Sequence, residues 1–139
     1  MIYYELKIES EGESIEITEP NMIFFAEVSF DTTSDNTQKK SNAILARLFV
    51  KGKIDETIND SLMKISEWAR DLNDATTYRK VTLTVKKDEA GKILRTYEIP
   101  DMFVCDYDEV YGDPKDEKEA AFFLKLTQRE NRLKEFNTY

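Results

Sequence analysis

Carboxylates are the side chains this sequence offers most freely for chemistry, and they crowd into one stretch: Asp101, Asp106, Asp108, Glu109, Asp113, Asp116, Glu117 and Glu119. A pair of them could serve as acid and base in glycoside cleavage, or a run of them could hold calcium. Set against a calcium-binding loop starting at Asp106, the register supplies Asp106, Asp108 and, at the twelfth place, Glu117. It puts Val110 where a third acidic ligand belongs and Tyr111 where the loop needs its sharply turning glycine. The stretch therefore reads as a solvated acidic loop.

Other chemistries are thinner still. The chain has no histidine, which removes Ser-His-Asp and Cys-His catalysis and the usual zinc and iron ligand sets. Cys105 is the one cysteine; it lies in the apolar run Phe103-Val-Cys and is expected to be a small buried hydrophobe. No glycine-rich phosphate loop occurs, Lys51-Gly-Lys53 being a single glycine between charges. Trp68, Tyr78, Tyr97, Tyr107 and Tyr111 could stack on a sugar or a base, but they share no spacing, and Trp68 is expected at the margin of a helix stripe. No catalytic residue, cofactor or metal site is expected.

Composition narrows the class. The 139 residues, 40% of them hydrophobic, suffice for one domain, expected over residues 1–139. With 20 basic against 28 acidic residues the net charge is −8, and the basic pairs Lys39-Lys40 and Lys86-Lys87 are too short to track phosphates. Nucleic-acid and anionic-membrane partners are disfavoured. The N-terminus, Met1 to Ile8, carries charge early and has no apolar core or cleavage site, so it is not read as a signal peptide. No apolar run nears the roughly 18 residues of a membrane span. Synthesis in the cytoplasm is expected, with export as part of a particle left open.

The elements follow from periodicity. Period-two alternation marks strands at residues 2–9, 15–17, 22–30, 43–51, 78–87, 92–99, 102–107 and 120–129. Gly52 is read as ending the fourth of them, and Pro100 as confining its strand to an edge or an end. Ile58, Leu62, Ile65, Ala69 and Leu72 form one helical stripe over residues 57–72, with Asp55 or Thr57 as its cap. The tail from residue 130 is read as helical or loose. The fold class is thus mainly β with one α-helix: a small antiparallel β-barrel or rolled sandwich flanked by the helix.

From Leu48 onward the chain resembles the haemolysin-coregulated protein of type VI secretion and the tail-tube proteins of contractile phages and phage-like particles. The likeness rests on Leu48-Phe-Val-Lys-Gly-Lys-Ile54 leading into the helix, then Lys80-Val-Thr-Leu-Thr-Val-Lys86, Arg95-Thr-Tyr-Glu-Ile99, Met102-Phe-Val-Cys-Asp-Tyr107 and Phe122-Phe-Leu-Lys-Leu-Thr-Gln128. It implies a non-enzymatic inner-tube subunit that closes into homohexameric rings and stacks into a conduit. Sheath, baseplate or effector proteins would be its partners. Which injection system is left open, and a small sugar- or peptide-binding β-barrel module is the alternative. Two surfaces carry the expectation. Ile23, Phe25, Leu45 and Phe49 lie opposite faces that are already apolar, so they are expected at subunit contacts. The polar stretch 31–42 is too long for a tight turn; a loop at that place in the resembling family reaches to the next ring. Thr32, Thr33, Asp35 and Asn36 would offer acceptors there, and Gln38, Lys39 and Lys40 donors.

Overall fold

A computed structural model describes residues 1–32, 44–88, 90–112, 120–129 and 136–139. Its strands are β1 (Tyr3–Ser10), β2 (Glu13–Ile17), β3 (Ile23–Thr32), β4 (Ile44–Lys53), β5 (Arg79–Lys86), β6 (Ile93–Val110), β7 (Ala121–Gln128) and β8 (Asn137–Thr138). Among the described residues one α-helix, α1 (Asn59–Ala69), follows β4 through a 3-10 turn at Glu56–Ile58. The sheet runs β2-β1-β5-β6-β7-β4-β3, antiparallel throughout, with β8 on β6. Of the two closures expected, the sandwich is observed: among the described residues no pairing joins β2 to β3, so the sheet stays open.

Strand β6 makes the roll. Its first half pairs with β5 and its second half with β7, Met102 standing opposite both Arg79 and Gln128. This corrects the expectation of two strands parted at Pro100. The strand is continuous for 18 residues and central in the sheet. Proline fits there because the ladder slips between Val81↔Ile99 and Arg79↔Met102, and a residue without an N–H is tolerated at a bulge. Asp101 absorbs the bend at φ 56°. The Gln128 amide donates to the Pro100 carbonyl at 3.1 Å, and the Arg129 N–H to the Asp101 carbonyl at 2.8 Å.

Alternation then fills the interior. Leu6 and Ile8, Ile15 and Ile17, Leu48 and Val50, Val81 and Leu83, and Phe122, Leu124 and Leu126 turn one way from their strands and are buried together. The helix covers this core with Ile65 and Trp68 after Ile58 and Leu62. Asp55 is the cap; its Oδ1 accepts from the Thr57 N–H at 2.9 Å and the Thr57 hydroxyl at 2.6 Å. The helix is shorter than its stripe suggests. Leu72 lies beyond its end and is 94% exposed, while Trp68, expected at the margin, is 1% exposed. Asx turns at Asp71 and Asn73 carry the chain away from the helix axis and take Leu72 with it. The tail is also corrected. Asn137–Thr138 is a strand, and Phe136 sets its ring against Phe30 and Tyr97.

Arg79 ties the helix end to the sheet. It is 7% exposed, donates to the Thr76 carbonyl at 2.9 Å, and lies 3.6 Å from Glu13, 3.8 Å from Asp71 and 5.3 Å from the Trp68 ring centroid. Asp71 accepts from the Thr76 hydroxyl at 2.7 Å and from the Asn73 N–H at 2.9 Å. First the Thr76 hydroxyl, then the Asn73 amide and the Arg79 charge hold its carboxyl below the ordinary value of 3.8. A depressed carboxyl stabilises the fold above its unfolded pKa, and that contribution disappears as pH falls through the folded value. Asp71→Asn should therefore narrow the stability difference between neutral pH and about pH 3 relative to the parent, read from urea midpoints. Equal pH slopes for the two proteins would remove Asp71 from the acid response.

Candidate subunit interface

The outward faces of the two halves of the roll differ in kind. On β1, β2, β5 and the first half of β6 the charges neutralise one another. Lys86 meets Glu5 at 2.6 Å, Lys7 meets Glu9 at 3.0 Å and Glu16 at 3.7 Å, and Lys80 meets Glu98 at 3.2 Å. Exposed pairs like these keep a face wet more than they stabilise it.

Across β3, β4, β7 and the second half of β6 the face mixes aromatic rings with charges of both signs, Glu27, Asp108 and Asp106 standing opposite Phe49, Phe123 and Lys125. Register places Phe25 opposite Lys51, Lys51 opposite Phe123, and Phe49 opposite Lys125. Phe25 and Phe49 pack edge to face, centroids 6.1 Å apart. The Lys51 ammonium sits 4.9, 5.3 and 5.9 Å from the centroids of Phe25, Phe49 and Phe123, and Lys125 sits 5.3 Å from Phe49. Among the described residues neither ammonium has a carboxylate within ion-pair distance, whereas Arg47 beside them holds Asp31 at 3.3 Å. A shallow groove of about 370 Å³ runs along this face, lined among others by Glu27, Phe49, Cys105, Asp106 and Lys125.

Of the four contact residues expected, Phe25 and Phe49 come together on this face. Ile23 and Leu45 are 3% and 9% exposed and offer a neighbour almost no surface. The cause at Ile23 is a bulge: Ile23 faces Gly52 while Phe25 faces Lys51, so Phe24 is the extra residue. Ile23 turns into the core and Phe24 outward, 57% exposed. Phe123, Lys51 and Lys125 were not anticipated. The signal was Phe and Lys two apart on both β4 and β7, which only the cross-strand register turns into a cluster. Of the stacking-loop residues, Thr32 ends β3; Thr33, Asp35, Asn36, Gln38, Lys39 and Lys40 lie outside the described residues.

Cys105 is exposed, not buried as expected, with Sγ 2.7 Å from the Thr127 hydroxyl. A second bulge is responsible: Val104 faces Leu126 and Asp106 faces Lys125, leaving Cys105 as the extra, outward residue. Asp106 and Asp108 also lie on the extended ladder, opposite Lys125 and Phe123, which spreads them along the strand instead of wrapping them around a cation. Glu109 accepts from the hydroxyls of Tyr107 and Tyr111, each at 2.7 Å. Burial first, and then Glu109, push the Tyr107 hydroxyl well above its ordinary pKa, so it stays a donor. Among the described residues no three His, Cys, Asp or Glu side chains are placed to hold a metal ion. Trp68 is in the core, Tyr78 packs on Phe103, and Tyr97 packs on Phe136.

Solved structures share this open antiparallel roll with its flanking helix. A chain of the six-fold-symmetrised anti-feeding prophage baseplate superposes with a TM-score of 0.58 at 11% identity, covering 99% of this chain and 92% of that one. Hcp1 from Flavobacterium johnsoniae gives 0.56 at 10% identity over 89% of each chain. A chain of the PVC sheath–tube complex, an extracellular contractile injection system, gives 0.56 at 11% over 96% and 87%. These likenesses show that the chain has the fold of Hcp1 and of these injection-system chains. No protein-family profile matches the sequence. No curated protein matches it by sequence. No helix among the described residues is long and apolar enough to cross a membrane.

Proposed function

We propose that this chain is a structural, non-catalytic subunit of the inner tube of a contractile injection system or phage-like tail. It closes into homohexameric rings that stack into a conduit, meets sheath, baseplate or effector proteins, and leaves the cell within the particle. The observation that carries the reading is the fold likeness, which spans 99% of this chain in a baseplate structure and 96% in a sheath–tube structure. The exposed phenylalanines of β3, Phe24, Phe25 and Phe30, support it as apolar surface that a neighbouring subunit would cover. The dispersal of Trp68, Tyr78 and Tyr97 over separate packing contacts weighs against a sugar- or peptide-binding module.

Negative-stain imaging with light scattering tests the reading directly. Six-fold rings are expected from the purified protein; a strict monomer at every concentration would overturn it. The polar stretch after β3 is assigned to stacking rings, not to forming them. Replacing residues 33–43 with Asn-Gly should preserve folding, since Thr32 and Ile44 are paired and that dipeptide joins paired ends in a tight hairpin. Rings should persist while long tubes disappear. Parental tube lengths from the shortened chain would end that role for the loop.

A further inference from the structure

Strand β6 loses a neighbour at its bend. Its second half lies between other strands, but β7 ends at Gln128, opposite Met102, and the first half has β5 on one side only. The chain returns to the open side at Phe136. Asn137 faces Glu98, Thr138 faces Tyr97, and Tyr139 exchanges both backbone hydrogen bonds with Thr96. Alternation gives this strap two sides with different uses. Phe136 turns to the core, its ring centroid 5.2 Å from that of Phe30 on β3 and 6.2 Å from that of Tyr97. Tyr139 turns outward, and its hydroxyl donates to Glu98, the carboxylate that also holds Lys80 at 3.2 Å. Thr96, paired with Tyr139, is buried.

We infer that the strap Phe136–Tyr139 guards a strand-addition site: it occupies an edge of β6 that otherwise pairs with the same edge of a second copy. A strand edge presents a row of N–H and C=O groups that templates another strand, and a very short covering strand is one way to blunt it. The strap has that form. Its strand is two residues long, Asn137, Thr138 and Tyr139 are exposed, and Phe136 is its apolar anchor. So few buried contacts place its opening at the low end of local unfolding energies, below the unfolding of the sheet. What it uncovers is adhesive. Ile93 and Leu94, further along the same strand, are exposed already, and opening adds the sides of Tyr97 and Phe30 that Phe136 covers. Because the uncovered edge is the same on every copy, two of them pair antiparallel about a two-fold axis, an isologous contact that stops at the dimer. Where the ring reading holds, such a dimer removes subunits from the head-to-tail contact that closes a ring, and the guard keeps them available.

Amide exchange in the unaltered protein reads the opening. The Thr96 N–H, which donates to the Tyr139 carbonyl, should exchange at least about 100-fold faster than the amides of the buried β5 residues Val81 and Leu83. Exchange of Thr96 at the rate of those core amides would mean that strap and sheet open only together, and would overturn the guard.

Unlatching the strap tests what the edge then binds. Phe136→Ala/Tyr139→Pro removes the anchor and the N–H that donates to the Thr96 carbonyl, and leaves β1 to β7 unaltered. Light scattering should show this variant as a dimer at concentrations where the parent shows none. Its Thr96 amide should exchange fast in dilute solution and slowly at high concentration, because a second copy covers the edge again. A strap locked by a disulfide, Thr96→Cys/Tyr139→Cys in a Cys105→Ser background, should give no such dimer when oxidised; the Cα atoms of a hydrogen-bonded antiparallel pair stand about 5.5 Å apart, within disulfide reach. An unlatched variant that is folded and associates no more than the parent would overturn the guard, as would a dimer whose Thr96 exchange ignores concentration. An unlatched variant that unfolds outright would make the strap part of the core and overturn it too. Rings of the parent are scored separately: their absence would end the ring reading and leave the strap assignment standing.

Discussion

Gly52→Ala is expected to destabilise the fold by about 3 kcal/mol, and Gly52→Val to prevent folding. Sequence alone reads Gly52 as the end of a strand, yet it lies inside β4, where a Cβ would stand 2.3 Å and 2.4 Å from Phe122 ring carbons and 2.8 Å from the Met22 carbonyl oxygen. Neither neighbour can move away easily. Phe122 is fully buried in the core, and the Met22 carbonyl is fixed by accepting from the Lys53 N–H at 2.7 Å. The glycine is there so that the ring of β7 can lie flat on the backbone of β4. Urea midpoints would measure the loss. Gly52→Ala combined with Phe122→Leu should be less destabilising than the sum of the two single changes, because one clash is being relieved. Strict additivity, or an unchanged midpoint for Gly52→Ala, would contradict this account.

The same position shows what periodicity can and cannot convey. Where a strand alternates without interruption, as in β1, in β5, in β4 from Ala46 onward and in β7 as far as Leu126, counting by twos identifies the buried residues correctly: Leu6 and Ile8, Leu48 and Val50, Val81 and Leu83, Leu124 and Leu126. Where the ladder slips, the count fails. The bulge at Phe24 sends Ile23 inward, the bulge at Cys105 sends a thiol outward, and the bend at Pro100 and Asp101 lets one strand serve both halves of the sheet. A bulge adds one residue to one strand and inverts every later side chain, and the chain composition need not announce it. The helix was legible in kind and in phase through Ile58, Leu62 and Ile65 but not at its end, because its last buried position is set by where the following Asx turns pull the chain away. The candidate interface was half legible. Phe25 and Phe49 stand out as apolar residues on a second face, while the lysines among them look like ordinary solvated charges until β3, β4 and β7 are laid side by side.

The second large effect concerns Trp68, the single tryptophan of the chain. It is 1% exposed, its Nε1–H donates to the Thr77 carbonyl at 2.7 Å, and the Arg79 guanidinium lies 5.3 Å from its ring centroid. Trp68→Ala removes all three interactions and leaves a void between helix and sheet, at a cost of about 4 kcal/mol. Trp68→Phe keeps most of the volume but strips the Thr77 carbonyl of its donor, and should cost about 2 kcal/mol. Thermal midpoints should fall in the order parent, Trp68→Phe, Trp68→Ala, by roughly 3 °C for each kcal/mol in a chain of this length. An alanine variant within about 1 kcal/mol of the parent would mean that the helix end does not anchor the core. Without the indole, a guanidinium only 7% exposed faces a cavity with its carboxylates Glu13 and Asp71 at 3.6 and 3.8 Å. Loosening it should melt the 71–79 connection before the sheet, visible as early amide exchange there. Since Trp68 contributes no outer surface, the phenylalanine variant should still form rings wherever it is folded. Loss of rings without loss of fold would tie α1's seating on the core to assembly.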